Sequence, residues 1–247
     1  MNMYKVSYDI KKEAKEALRG RWKEAIILNI VPIILAIGIN AVAAFMFWTT
    51  TFGQYEPEWY IRISSNFGNS LVEFIFSIIT IGISFSLLDV IRNRDEASMA
   101  PNQAFRLFNS YDFVPIILIN LLILIFTTLW TFLLVIPGIV KGYAYSQSNF
   151  IYKDLSTHTD VKEMNATAFI DESRQLMDGH KGRLFWLDFS FIGWHILGGL
   201  TLGLAYIFIT PYIATCHAVF YDDLAKDKYL KDASEEVDEN EDVWESF

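Results

Sequence analysis

Two stretches without a single Asp, Glu, Lys or Arg, Ala25–Gln54 and Phe113–Val140, constrain this chain more than any other feature. A helix rises 1.5 Å per residue, so about 20 apolar residues cross the roughly 30 Å of a bilayer's hydrocarbon. In water such helices would have no polar face to present. A further apolar run, Leu184–Tyr221, is 38 residues long, nearly twice one span. The fold class expected is therefore all-α: a polytopic helical membrane protein. Overall composition is uninformative here, since 53% hydrophobic residues is ordinary for soluble domains too. Their distribution decides the matter.

The spans read as about 25–48, 71–90, 113–135, 139–152, 184–200 and 203–221. Ile136-Pro137-Gly138 stops the third, and Gly198-Gly199 with Gly203 turns the last run back on itself. Lysine and arginine counts set the direction. With the N-terminus inside, segments 1–24, 92–112, 153–183 and 222–247 hold 18 of the 20 basic residues. That bias orients a polytopic protein with both ends in the cytoplasm. If 139–152 did not cross, five basic residues of 153–183 would lie outside. The first run is also too long for a cleaved signal peptide and reads as a retained span.

The formal charge of −9 resides almost entirely in residues 222–247, with eleven acids against three lysines. An acidic segment with few apolar residues cannot bury enough surface to fold alone, so 225–247 reads as a disordered cytoplasmic tail, and 1–224 as the membrane domain. It argues against nucleic acid as a partner. Cys216 is the sole cysteine, which excludes an internal disulfide and a thiolate metal site.

Each hairpin is preceded by a stretch with helical amphipathic spacing, of the kind that lies in a membrane interface. Val6, Ile10, Ala14, Ala17 and Leu18 share one face; so do Ala104, Leu107, Phe108 and Tyr111, and again Ala166, Phe169, Ile170, Leu176 and Met177. The hairpins also end alike, on Leu88-Asp89-Val90, Lys153-Asp154-Leu155 and Asp222-Asp223-Leu224. Three helix-plus-hairpin units are the architecture this implies.

Ionisable groups inside spans are costly and mark functional candidates. Glu73, Asp89 and Asp223 lie near span ends and read as structural, as does Asp188, one turn inside its span. Span four crowds Tyr143, Tyr145, Ser146, Gln147, Ser148 and Asn149 into one short helix. Such a helix is shielded from lipid by its neighbours. Two readings stand: a polar cavity lined by Tyr145, Gln147, Asn149, His195 and His217, or interhelical hydrogen bonds by the same groups. Lys141 reads as an interfacial anchor. No metal-spaced His/Cys cluster, phosphate loop or nucleophile motif is present. Neither an enzyme nor a cofactor is expected.

Ser173-Arg174-Gln175-Leu176-Met177-Asp178-Gly179-His180-Lys181, then Leu184-Phe185-Trp186-Leu187, Phe189 to Trp194, Pro211-Tyr212 and Phe220-Tyr221 resemble domain-of-unknown-function family 975 (DUF975). Leu18-Arg19-Gly20-Arg21-Trp22 and Ile136 to Val140 fit the same pattern. The resemblance implies a bacterial cell-membrane protein, mostly of Gram-positive organisms. It also suggests a distant similarity to the membrane domain attached to some glycerophosphodiester phosphodiesterases, and with it an accessory role. Gly179 is expected to end a helix, leaving His180, Lys181 and Arg183 to meet anionic headgroups. The expected function is a non-enzymatic accessory protein that binds membrane lipids, a membrane-protein partner or a second copy of itself. A small permease is the alternative.

Overall fold

The computed structural model describes residues 4–35, 38, 58–93, 96–158, 161 and 164–230. Most of the second half of the first expected span, and the tail beyond 230, lie outside them. Among the described residues every regular element is helical, as the apolar runs require. The order is α1 (Ser7–Leu18), α2 (22–35), α3 (Glu58–Arg92), a 3-10 helix (Pro101–Asn109), α4 (Phe113–Leu133), α5 (Val135–Tyr145), α6 (Ser148–His158), α7 (Ala166–Leu176), α8 (Lys181–Phe189), α9 (Ile192–Leu200) and α10 (Tyr206–Ala225).

Among the described residues two helices are long and apolar enough to cross a membrane: Glu73–Arg92, within α3, and α4. Two expected spans are not single helices. Span four is divided into α5 and α6 at Ser146-Gln147, and span five into α8 and α9 at Ser190-Phe191. The turns fall where the sequence places them. Leu134 is extended (φ −157°, ψ 133°) between α4 and α5, and Pro137 sits in the first turn of α5, where its missing N–H costs nothing. Between α9 and α10 the chain reverses through Leu202 and Gly203, both left-handed (φ 51° and 91°).

The amphipathic stretches take their expected places with one change of geometry. On α1, Ile10, Ala14 and Leu18 are buried against α10, and on α7 Phe169, Ile170 and Ser173 are buried. The second stretch is a 3-10 helix that packs closely on α3. A side chain at Gly82 would meet the Ala104 carbonyl oxygen at 2.9 Å. Ala104 and Leu107 are buried there, whereas Phe108 and Tyr111, expected on the same face, are exposed. The reading of 225–247 as tail begins too early: α10 runs on into a π-helical turn, Lys226–Leu230. There Tyr229 is buried and donates to Glu172 at 3.0 Å.

Burial divides the molecule along its length. The core gathers at the hairpin bases, from Ile78 to Val90 of α3, Ile151 and Tyr152 of α6 and Cys216 to Ala225 of α10. The hairpin tips show the reverse. Leu129, Phe132 to Ile136, Leu200, Leu202 and Leu204 are all exposed. Of the two span-like helices, 56% of Glu73–Arg92 is buried inside the bundle but only 11% of α4.

At the base, Asp89 of α3, Asp154 of α6 and Asp222 and Asp223 of α10 are all paired. Asp89 takes Arg106 at 2.7 Å and also Lys153. Asp154 takes both terminal nitrogens of Arg92 (2.6 and 2.9 Å), whose Nε donates to Asp222 at 2.9 Å. Tyr221 adds its hydroxyl to Asp154 at 2.6 Å. Asp223 takes Arg183 at 2.8 Å and the Lys5 amide at 2.9 Å. Removing one partner of a buried pair strands the other, at about 3–5 kcal/mol. Arg92→Leu strands two carboxylates. Thermal unfolding in detergent is expected to show it destabilised by about 3 kcal/mol or more. Arg174→Ala, which breaks an exposed pair with Asp171, is expected to cost under about 1 kcal/mol. Similar losses in the two variants would remove Arg92 from its place in the core.

Candidate functional site

The break in span four is held open by a side chain from another helix. Ser173 of α7 donates its hydroxyl to the Ala144 carbonyl at 2.8 Å and accepts from the Gln147 amide at 3.2 Å. It thus satisfies backbone groups on both sides of the interruption, which could not remain unpaired in a buried position. Ser148 caps the Tyr145 carbonyl at 2.9 Å in the same turn. The break redirects the polar side chains of this segment, and they part company.

Gln147 and Asn149 line a cavity of about 590 Å³ bounded by α3, α5, α6, α8, α9 and α10, and His195 and His217 line it as well. Tyr145, expected with them, does not. It is buried in a small separate cluster with Ala144 and Ile170, its ring 6.3 Å from that of Phe126. Asn149 and Asn120 exchange side-chain amide hydrogen bonds at 2.9 and 3.2 Å, closing the α4–α6 contact.

The central polar group of the cavity is one that the sequence reading assigned to structure. Asp188 accepts from His217 Nε2 at 2.6 Å on one oxygen and from the Tyr143 hydroxyl at 3.1 Å on the other. His195 Nδ1 meets the Tyr206 hydroxyl at 3.2 Å, nearer the hairpin tip. Toward the base, Phe85 and Phe150 form the wall. The Phe150 ring stacks on Tyr221 at 4.9 Å, and Tyr221 bonds Asp154. An aromatic layer therefore separates the cavity from the Arg92 cluster.

Gln147 carries an anomaly. It is 4% exposed, and its side-chain carbonyl oxygen has no hydrogen-bond partner. The amide orientation follows from its neighbour. Ser146 spends its proton on the Tyr143 carbonyl (2.9 Å), so its oxygen can only accept, and it accepts from Gln147 Nε2 at 2.8 Å. The vacant atom is the carbonyl oxygen. A buried group left in this state costs about 1–3 kcal/mol. Thr127 Oγ1 is likewise buried without a partner, away from this cavity.

The residues expected at lipid headgroups are occupied within the protein. Arg183 donates to the Lys5 carbonyl at 2.6 Å as well as to Asp223, between the rings of Tyr4 and Phe220. His180 packs edge-on against Tyr4, and Lys181 pairs with Asp178. Arg183 and His180 thus fasten the N-terminal segment to the base of α10. Gly179, with φ 74°, does end the helix as expected. Lys141 lies 4.8 Å from the Trp130 ring, across the α4–α5 turn. Among the described residues no group of His, Cys, Asp and Glu is arranged to hold a metal.

Two outcomes follow for stability. Ser173→Ala strands both the Ala144 carbonyl and the Gln147 amide and is expected to cost about 1–3 kcal/mol. Gln147→Leu, which removes an unpaired carbonyl, is expected to be neutral within about 1 kcal/mol or slightly stabilising. Thermal unfolding in detergent ranks the two, and the reverse order would show that Ser173 does not hold the break. A pH effect arises at His180. Burial and then the Arg183 charge lower its pKa below the ordinary 6.5, so the unfolded chain binds the proton more readily. Stability from this site is present above pH 6.5 and falls as the pH drops below it. His180→Asn is expected to flatten the melting temperature between pH 7 and pH 5; an unchanged slope would place the acid sensitivity elsewhere.

A family model described as a protein of unknown function, DUF975, matches residues 1–141 and 132–228. No curated protein and no solved structure matches the chain. The match takes in the whole helical body, from the N-terminal segment through α10, and includes every residue that lines the cavity. The chain belongs to the DUF975 family.

Proposed function

We propose that this chain is a multi-pass membrane protein with six spans in three hairpins, both ends on the cytoplasmic face, which works without catalysis by holding a lipid-like molecule in its central cavity. The observation that carries the reading is the combination within that cavity. Apolar walls of Ile81, Ile139, Leu184, Ile209 and Ile213 adjoin a bonded polar group of Tyr143, Asp188 and His217, and Gln147 lines the same cavity. A pocket of this composition suits a ligand with one polar end and a long apolar remainder. Exposed apolar side chains on the hairpin tips support immersion in lipid, since soluble proteins seldom leave so many together in water. The basic residues of the connecting segments support the orientation.

A carrier is the second reading, and one observation favours it. The helices on either side of the cavity, α5–α6 and α8–α9, are interrupted beside it. Discontinuous helices at a midplane site are a recurring feature of transporters. Native mass spectrometry of the full chain in a mild detergent tests the binding function directly. An amphiphile retained at one per chain is expected, and its loss on filling the cavity by Ala214→Trp would locate it there. An empty protein that co-isolates with a second protein would overturn the reading and make this chain an accessory subunit.

A further inference from the structure

The hydrogen-bonding character of the cavity specifies the polar end of its ligand, an inference that rests on the ligand-holding reading above. Several of its hydroxyl groups have already spent their protons inside the protein. Thr80 donates to the Phe76 carbonyl at 2.9 Å, Ser84 to the Thr80 carbonyl at 2.9 Å and Ser146 to the Tyr143 carbonyl at 2.9 Å. Tyr143 donates to Asp188 at 3.1 Å, and His217 Nε2 donates to the same carboxylate at 2.6 Å. Asn149 commits its amide to Asn120. These hydroxyls are left with lone pairs, while the Asn149 amide keeps one further N–H. The Gln147 carbonyl oxygen, buried in a residue only 4% exposed at the cavity wall, is an acceptor without a partner. His195 and Tyr206, bonded to each other, lie toward the tip.

Charge points the same way. Among the described residues lining the cavity, Asp188 is the one acidic side chain, it is bonded to His217, and neither lysine nor arginine is present. A phosphate or carboxylate brings only acceptors and negative charge, and it would meet acceptors and a carboxylate. An ammonium brings three donors, no acceptor and a positive charge. It can share the Asp188 carboxylate, and the unpartnered Gln147 carbonyl is a further acceptor in the lining of the same cavity. We propose that the polar end of this cavity recognises an amine or ammonium group carried on an apolar tail, with Gln147 and Asp188 as its acceptors. Two sources share that chemistry: the headgroup of an amine-bearing phospholipid and a free long-chain amine.

The test titrates the full-length protein in mild detergent at pH 7 with dodecylamine, dodecanol and dodecyl phosphate, read by native mass spectrometry and thermal shift. Dodecylamine is expected to bind one per chain, at least ten-fold more tightly than dodecanol, with no specific adduct from dodecyl phosphate. Asp188→Asn is expected to weaken dodecylamine binding ten-fold or more, and Gln147→Leu several-fold with the melting temperature preserved. If Asp188→Asn does not fold, Gln147→Leu makes the same comparison, because its carbonyl has no internal partner to lose. Equal binding of all three amphiphiles would overturn the amine assignment while leaving the ligand cavity standing. Binding of none would overturn both. Displacement of bound dodecylamine by an ethanolamine phospholipid, but not by a glycerol phospholipid, identifies a lipid headgroup as the source. Dodecylamine that neither phospholipid displaces identifies a free amine.

Discussion

One guanidinium holds the base of this bundle together. Arg92, at the end of α3, grips Asp154 of α6 and Asp222 of α10, so three helices meet at a single side chain. A planar fork suits this task as a lysine would not, because it meets one carboxylate with two parallel bonds and still has Nε for another. Charges withdrawn from water demand complete pairing. That demand extends outward to Tyr221 on Asp154, to the Phe150 ring stacked on Tyr221, and to Arg183 and the Lys5 amide on Asp223. The aromatic layer that bounds the cavity on this side is thus set by the same ionic arrangement. The hairpin tips, free of such ties, present their apolar side chains outward.

The cavity itself depends on interruption. A continuous helix over 135–158 would keep its backbone bonded internally and carry its polar side chains around in regular rotation. Ser173 makes the break at Ser146-Gln147 sustainable by serving the carbonyl before it and the amide after it. Tyr145 then faces a small apolar cluster while Gln147 and Asn149 face the cavity. Ser173 opens the segment most specific to the family resemblance, yet as a lone serine on an amphipathic helix it carries no sign of this role.

Some of the pairing was nevertheless readable. In a helical hairpin, residues equally far from the turn lie at equal depth. Asn120 and Asn149 are each fourteen residues from the Leu134-Val135 turn, and Asp188 and His217 each fourteen from Leu202-Gly203. At 1.5 Å per residue both pairs lie about 21 Å from their tips. The second and third hairpins thus place a polar pair at the same height, which strengthens the internal repeat seen in their matching acidic ends. Asp188 looked structural because it was weighed against its own helix, where nothing balances it. Its partners arrive from α5 and α10.

The sequence by itself determined the helical class, the hairpin turns and the amphipathic packing faces, because each depends on local periodicity or on glycine and proline. It also placed an acid at the end of each returning helix. Tertiary structure alone decided which base each acid would take, where expected spans four and five would break, and which polar side chains would share a cavity. These outcomes rest on contacts between residues 17 to 218 positions apart, from Arg106 with Asp89 to Lys5 with Asp223. Arg183 shows the difference most plainly. Its neighbours along the chain suggest a basic cluster at a membrane surface, whereas the fold brings it a buried carboxylate, and a buried carboxylate takes the nearest cation it can bond.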